Sequence, residues 1–421
     1  MEPGAGYLLG GIGQLLTMKG PKGPRRGALS GEIGLVEKAA LVCSDGKVLW
    51  SGPESGLPSR FLALPCHDAG GRVVTPGFVD SHTHPLFGAT RHGEFAMRAA
   101  GADYEEIAAA GGGILNSVRA TREASDSLIE KNLREALGRM LSLGTTTVEA
   151  KSGYGLDLET ELRCLRILTR VRGTVPQTVL RTFLGAHAVP SEFAGEPGSY
   201  LEFLNSEVLP AVAASDLADF VDIFCEKGVF TPEESRRHLE AAKALGFRVR
   251  IHADEFHDTG GASIAVDVGA MSADHLLSVS DLNIAKLASS RTVATLLPGT
   301  ALFLNKPFPP GRKLLDAGAA VALASDFNPG SCYCESMPFM VTLAVCACGF
   351  TVEEALVAAT ANGAAALGLP DRKGSLVPGH DSDFVVWNLD DYRRIPYHMA
   401  VPDIGAVYCG LAVHNTGESF L

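Results

Sequence analysis

Positive charge is in short supply. The chain has 36 lysines and arginines against 48 aspartates and glutamates, a net charge of -12 with histidine neutral. An acidic surface argues against nucleic acid or an anionic membrane as partner, although a pocket can still be locally basic. Cysteine provides no disulfide framework. Nine residues, an odd number spread over 421, fit a reducing cytoplasm better than a stapled secreted fold. No apolar run reaches the roughly 18 residues that a membrane helix needs. Residues 1–16 lack a basic start and are interrupted by glycines, so they do not read as a signal peptide. Heptads, solenoid repeats and low-complexity tracts are absent too. What is present is globular: 46% apolar residues and 47 glycines, enough for a large core and many tight turns. The length allows one barrel of about 250 residues with a small accessory domain.

From about Val74 to Gly368, short apolar segments alternate with helical patterns. Eight strands are predicted, at 77–84, 145–151, 179–187, 220–226, 247–253, 270–276, 292–297 and 320–326. Helices are predicted between several of them, at 126–143, 157–171 and 232–245. Such repetition implies a parallel sheet, and eight repeats suggest closure into a (β/α)8 TIM barrel in the α/β class. The flanks differ. Strand-like pieces at 40–43, 47–50, 383–387, 406–408 and 411–415 stand among Gly and Pro without helices. The two ends are expected to pair into one small β-sandwich-like domain, because each alone would leave open sheet edges. The expected division is 1–73 with 373–421 for the small domain and 74–372 for the barrel.

In a barrel of this kind chemistry sits where the strands end. The first predicted strand ends in Asp80-Ser81-His82-Thr83-His84. Side chains two apart on a strand point the same way, so His82 and His84 can both face the mouth. The fifth ends in Ile251-His252-Ala253-Asp254-Glu255 and the eighth in Ala324-Ser325-Asp326. Three imidazoles and a carboxylate suit one divalent zinc or iron ion with a position left for water. A lone His-x-His is a weak signal; four such residues at the correct strand ends are a strong one.

Pro76-Gly77-Phe78-Val79-Asp80-Ser81-His82-Thr83-His84 resembles the first-strand motif of the amidohydrolase superfamily. Further segments resemble, more narrowly, the imidazolonepropionase family. They are His82-Thr83-His84-Pro85, Glu94-Phe95-Ala96-Met97, Ala110-Gly111-Gly112-Gly113-Ile114, Lys151-Ser152-Gly153-Tyr154-Gly155-Leu156, Phe224-Cys225-Glu226-Lys227-Gly228-Val229-Phe230, His252-Ala253-Asp254-Glu255 and Ser325-Asp326-Phe327-Asn328-Pro329-Gly330-Ser331. They run in family order over nearly the whole barrel. The resemblance implies His82, His84, His252 and Asp326 as metal ligands, with Glu255 and His275 handling protons beside Asp326. It implies Arg91, Tyr154, His187, Asn328, Gly330 and Ser331 as substrate contacts. Ser331 stands where the family often has threonine; the hydroxyl is kept. The implied reaction is hydrolytic ring opening of 4-imidazolone-5-propanoate to N-formimino-L-glutamate in histidine degradation. The implied partner is a small molecule with a carboxylate tail, and the implied assembly is a homodimer. Another heterocycle amidohydrolase, such as a deaminase, is the enzymatic alternative. A non-catalytic scaffold is the other, against which the complete residue set speaks.

Other features have plainer readings. Lys151 ends the second strand rather than the fourth, which disfavours a lysine bridging two metals. Cys332-x-Cys334 lacks the second pair that a zinc site needs. Gly111-Gly112-Gly113 lacks the ending of a phosphate loop and reads as a loop at the mouth. Parity along the strands also places Asp80, Glu149 and Arg250 inside the barrel below His82 and His252. An unpaired charge there is costly, so Arg250 is expected to pair with Asp80 or Glu149.

Overall fold

A computed structural model describes residues 6–102, 106 and 111–415. Ala110 and the ends at 1–5 and 416–421 lie outside the described residues. The chain begins in β1 (Tyr7–Leu16), followed by β2 (Leu35–Ser44), β3 (Lys47–Pro53), β4 (Cys66–Asp68) and β5 (Val73–Pro76). After the barrel it returns in β15 (Phe384–Trp387), β16 (Ile404–Cys409) and β17 (Ala412–Asn415). These strands form one mixed sheet in the order β17-β16-β15-β5-β1-β2-β3, with β4 beside β1. The two ends of the chain meet where β15 pairs antiparallel with β5. Three strand spacings separate β16 from β1, about 14 Å in a flat sheet. Yet the rings of Tyr7 and Tyr408 stack with centroids 6.2 Å apart. The sheet therefore curls on itself around a core of Leu9, Ile12, Leu41, Phe384 and Tyr408, which gives the sandwich-like shape.

Strand β5 belongs to this small sheet, so the sheet extends through Pro76, past the expected limit at 73. The chain then crosses into the barrel at Gly77, where a Cβ would meet Thr146 Oγ1 at 2.3 Å.

The barrel strands are β6 (Phe78–Asp80), β7 (Thr145–Lys151), β8 (Thr178–Ala186), β9 (Phe220–Cys225), β10 (Arg248–Val249), β11 (Ile251–Ala253), β12 (Ser272–His275), β13 (Val293–Leu296) and β14 (Val321–Leu323). All their pairings are parallel. Strands β10 and β11 are one predicted strand interrupted at Arg250, whose N–H still reaches Val221 O at 2.9 Å. The ring closes between first and last strands: Thr83 bridges Phe327, and Asp326 N–H donates to His82 O at 3.0 Å. Helices Asp126–Ser142, Leu158–Arg172 and Pro232–Ala244 fall where predicted. Each has a side-chain cap, from Ser125, Asp157 and Thr231 respectively, which satisfies an otherwise orphan N–H of the first turn. No helix among the described residues is long and apolar enough to cross a membrane.

Candidate metal centre and substrate site

Beneath the mouth lies a fully buried charged layer. Lys151 Nζ is 2.7 Å from Glu149 Oε1 and 2.9 Å from Asp222 Oδ2. Arg250 Nη2 donates to Asp274 Oδ2 at 3.0 Å, and its Nη1 is 3.9 Å from Glu149 Oε1. Arg250 thus points inward as its parity requires, but its close partner is Asp274, with Glu149 second. Asp80 is taken elsewhere, accepting from the N–H (3.0 Å) and hydroxyl (2.5 Å) of Ser325. Parity assigns a face; which carboxylate is nearest follows from neighbouring strands, and β11 lies directly beside β12.

This layer orients the histidines above it. Asp274 Oδ2 accepts from His82 Nδ1 at 2.7 Å, and Asp222 Oδ2 lies 3.1 Å from His252 Nδ1. A carboxylate can only accept, so His82 Nδ1 carries the proton and its Nε2 presents a lone pair, and the Asp222 carboxylate beside His252 Nδ1 favours the same tautomer there. Those lone pairs converge. His82 Nε2 is 3.2 Å from His84 Nε2, and His252 Nε2 is 3.4 Å from His84 Nε2. Asp326 Oδ1 stands 3.6 Å from His82 Nε2 and 3.4 Å from His84 Nε2. Ligands about 2.0–2.1 Å from a tetrahedral ion lie roughly 3.3–3.4 Å from one another. Facing lone pairs at this range repel unless a cation lies between them, and a single proton could bridge only one pair. Burial, reinforced by nearby cationic groups, pushes His82 and His84 well below the usual histidine range, which keeps them neutral. The donor set His82, His84, His252 and Asp326 therefore fits a divalent metal ion; His275 stands close enough to His82 and Asp326 to join a second such grouping.

Asp326 is held by Thr300 Oγ1, which donates to Oδ2 at 2.5 Å. Its φ of +53° and that of +80° at His275 lie in the left-handed region, uncommon for such residues and characteristic of functional turns. Glu255 Oε1 is 3.6 Å from His275 Nδ1. Burial, then the negative charges of Asp326 and Glu226, push the Glu255 carboxyl well above its usual range. Burial brings His275 down to about 3, Asp326 only partly opposing it. The loop carrying Glu255 is fixed by Asp254, whose carboxylate accepts four N–H groups, those of Thr259, Gly260, Gly261 and Ala262, at 3.0–3.2 Å.

Of the remaining expected residues, His187 and Tyr154 lie against His84, and Arg91 meets the Asn328–Ser331 turn that follows Asp326. The His187 ring stacks on His84 with centroids 5.1 Å apart, and its Nδ1 donates to Gly153 O at 3.0 Å. Tyr154 is buried, its ring 6.2 Å from His84 and 5.3 Å from His187. Asn328 builds a tight turn: its Oδ1 accepts from the N–H groups of Gly330 (2.8 Å) and Ser331 (2.7 Å), and its Nδ2 donates to Ser331 Oγ (2.8 Å). Arg91 lies against that turn. A Cβ on Gly330 would fall 2.1 Å from Arg91 Nη1, so glycine is what lets the guanidinium in. Glu94 Oε2 accepts from Arg91 Nε (3.0 Å), Arg91 Nη2 (2.6 Å) and Gly113 N–H (3.1 Å).

Cys332 packs against Gly299, whose Cβ would meet its Sγ at 2.7 Å; neither Cys332 nor Cys334 belongs to a metal-type grouping among the described residues. Sequence reasoning missed Asp222, Asp274, Thr300, Asp254 and Glu161, the last of which accepts from the N–H groups of Gly155 and Leu156 and so fixes the Tyr154 loop. A signal existed for Asp222, a lone acid in the apolar run Phe-Val-Asp-Ile-Phe with the inward parity of Phe224. None existed for Thr300.

The model of the amidohydrolase family matches residues 73–416. An imidazolonepropionase of Symbiobacterium thermophilum is 48% identical over 411 residues, covering 95% of each chain. One of Porphyromonas gingivalis is 47% identical over 93% of each, and one of Bacillus cereus is 44% identical over 98% of this chain and 97% of its own. Among solved structures, a triazine hydrolase of Arthrobacter aurescens superposes with a TM-score of 0.72 at 17% identity, covering 97% of this chain and 94% of its own. A zinc-bound adenosine deaminase of Xanthomonas campestris gives 0.69 at 17%, covering 97% and 92%; at such identity these two speak for the fold alone. By the family model and the sequence relatives together, the chain belongs to the amidohydrolase family and, within it, to the imidazolonepropionases.

Proposed function

We propose that this site opens the ring of 4-imidazolone-5-propanoate by hydrolysis, giving N-formimino-L-glutamate, the imidazolonepropionase step of histidine degradation. The observation that carries the reading is the juxtaposition of a converging His82–His84–His252–Asp326 donor set with an arginine, Arg91, seated on the Asn328–Ser331 turn. One divalent ion, zinc or iron, held by those four residues would supply Lewis acidity at the ring carbonyl and bring the pKa of a water toward neutrality. The rest is the work of the chain. Arg91 takes the propanoate, since a guanidinium with an uncommitted edge matches a carboxylate. Tyr154, His187 and the turn residues Asn328, Gly330 and Ser331 line the ring and fix the face presented to water. Glu255, buried beside Asp326, takes the proton of the attacking water and returns it to the ring nitrogen as the C–N bond breaks. His275, held neutral, orients that exchange. The partner is a small molecule, and the setting is the cytoplasm, with a homodimer as the assembly.

The test is hydrolysis of freshly prepared 4-imidazolone-5-propanoate by metal-quantified protein, followed by loss of ultraviolet absorbance, with Asp326→Ala as control. Formation of N-formimino-L-glutamate by the wild type and not by the variant supports the reading. Release of ammonia from a different heterocycle, with this substrate untouched, would replace it with deamination.

A further inference from the structure

Arg98 lies seven residues beyond Arg91, at the end of helix His92–Ala99, so two helical turns bring both guanidiniums to the same face. Both meet the same turn. Arg91 Nη1 occupies the place a Gly330 side chain would need, and Arg98 Nη2 donates to Gly330 O at 3.0 Å. The Arg98 guanidinium also lies over the Phe303 ring, 5.4 Å from its centroid, so two contacts hold it in place. Among the described residues, Glu94 is the carboxylate bonded to this pair, and within the pair it bonds to Arg91 rather than Arg98. Burial and the charge of Arg91 lower the pKa of Arg98, with Glu94 partly opposing. Among the described residues, two guanidiniums and one carboxylate leave one positive charge without a carboxylate bonded to it. Holding like charges together is unfavourable unless an anion joins them.

We propose that Arg98 is a specificity-determining residue that shares with Arg91 the recognition of the substrate's carboxylate arm across Gly330. The inference rests on the reading that this arm lies at Arg91. Arg98 does not touch the reacting atoms; it raises affinity for an acid arm over a neutral one and leaves bond breaking alone.

The experiment is calorimetric binding of two probes to the metal-loaded enzyme: 3-(imidazol-4-yl)propanoate and its propanamide, which differ in the charge of the arm. Arg98→Gln keeps a donor for Gly330 O and removes the charge; Arg98→Lys keeps the charge and loses the fork. The wild type should prefer the acid. Arg98→Gln should cut that preference about tenfold, the scale of one partly screened charge at this range, and Arg98→Lys should retain most of it. In turnover, the Gln variant should raise KM and leave kcat unchanged. A Gln variant with the wild-type preference, or one whose kcat falls while the preference holds, overturns the proposal. A wild type that binds both probes equally removes the arm subsite and this proposal with it, while ring hydrolysis stands on its own assay. A wild type that prefers the acid in an Arg98-dependent way yet fails to hydrolyse the ring overturns the reaction and sustains Arg98.

Discussion

Replacing Lys151 by methionine removes a single charge from the buried layer and little else. The thioether follows the path of the lysine stem, so the cavity left behind is small and the cost is electrostatic. Lys151, Glu149 and Asp222 are fully buried, with Nζ 2.7 and 2.9 Å from the two carboxylates. Without it, Asp222 loses its lysine partner, and among the described residues Arg250 is the cation left to Glu149 and Asp274. Removing one member of a buried ion cluster costs about 3–5 kcal/mol, a large part of the about 5–15 kcal/mol that holds a folded protein together. The exposed pair Lys131–Glu135, 3.8 Å apart, makes a control: Lys131→Met should cost at most about 0.5 kcal/mol. Equilibrium urea unfolding at one pH and matched metal content measures both. Adding Asp222→Asn to Lys151→Met should return part of the loss, because it removes a charge that has lost its partner. A Lys151→Met deficit below about 1 kcal/mol would refute the view that the layer depends on mutual neutralisation.

Three further outcomes follow from the geometry. Gly330→Ala places a Cβ 2.1 Å from Arg91 Nη1, so KM should rise about tenfold, or ~1.4 kcal/mol, with metal content unchanged; an unaltered KM would show that Arg91 does not work from this turn. Gly153 has a φ of +113° and its Cβ would meet Leu184 O at 2.7 Å, so Gly153→Ala should destabilise by about 1–3 kcal/mol, read as a lowered Tm. At the junction of small sheet and barrel, burial alone would raise the Asp381 carboxyl, but its bonds to Lys373, Lys47 and Arg372 outweigh that and hold it at about 2. A lowered folded-state pKa means stability present above about pH 4 and lost as pH falls toward 2; Asp381→Asn should flatten stability against pH across that window.

The barrel was legible because its strands announce themselves twice, as apolar runs and as polar strand ends; the pairs His82/His84 and His252/Glu255 fall where period and position put them. Strand β1 was not. Its glycines and a bulge between Leu9 and Ile12 blur the alternation, and its partners lie at 35–44, 66–68 and 73–76, too distant for any local signal. Asp274 escaped for a different reason. Alternation sends neighbours to opposite faces, but the left-handed backbone at His275 lets both Asp274 and His275 serve the mouth. Arg250 was correctly placed inside, and the expected Glu149 is one of its partners; the nearer one, Asp274, was not foreseen, because the pairing depends on which strands are adjacent. The Arg91–Glu94–Arg98 group sits on a short helix whose docking against the 328–331 turn exists only in three dimensions.

We propose that one divalent ion, gathered by His82, His84, His252 and Asp326, makes this chain a hydrolase. This is tested most directly by stripping the protein with a chelator and titrating zinc or iron(II) back while ring opening of 4-imidazolone-5-propanoate is followed. Activity should be lost on stripping and return in proportion to bound metal, levelling off at one ion per chain, with no return in Asp326→Ala. Full activity in the stripped protein, or a plateau that requires two ions, would overturn the one-ion site.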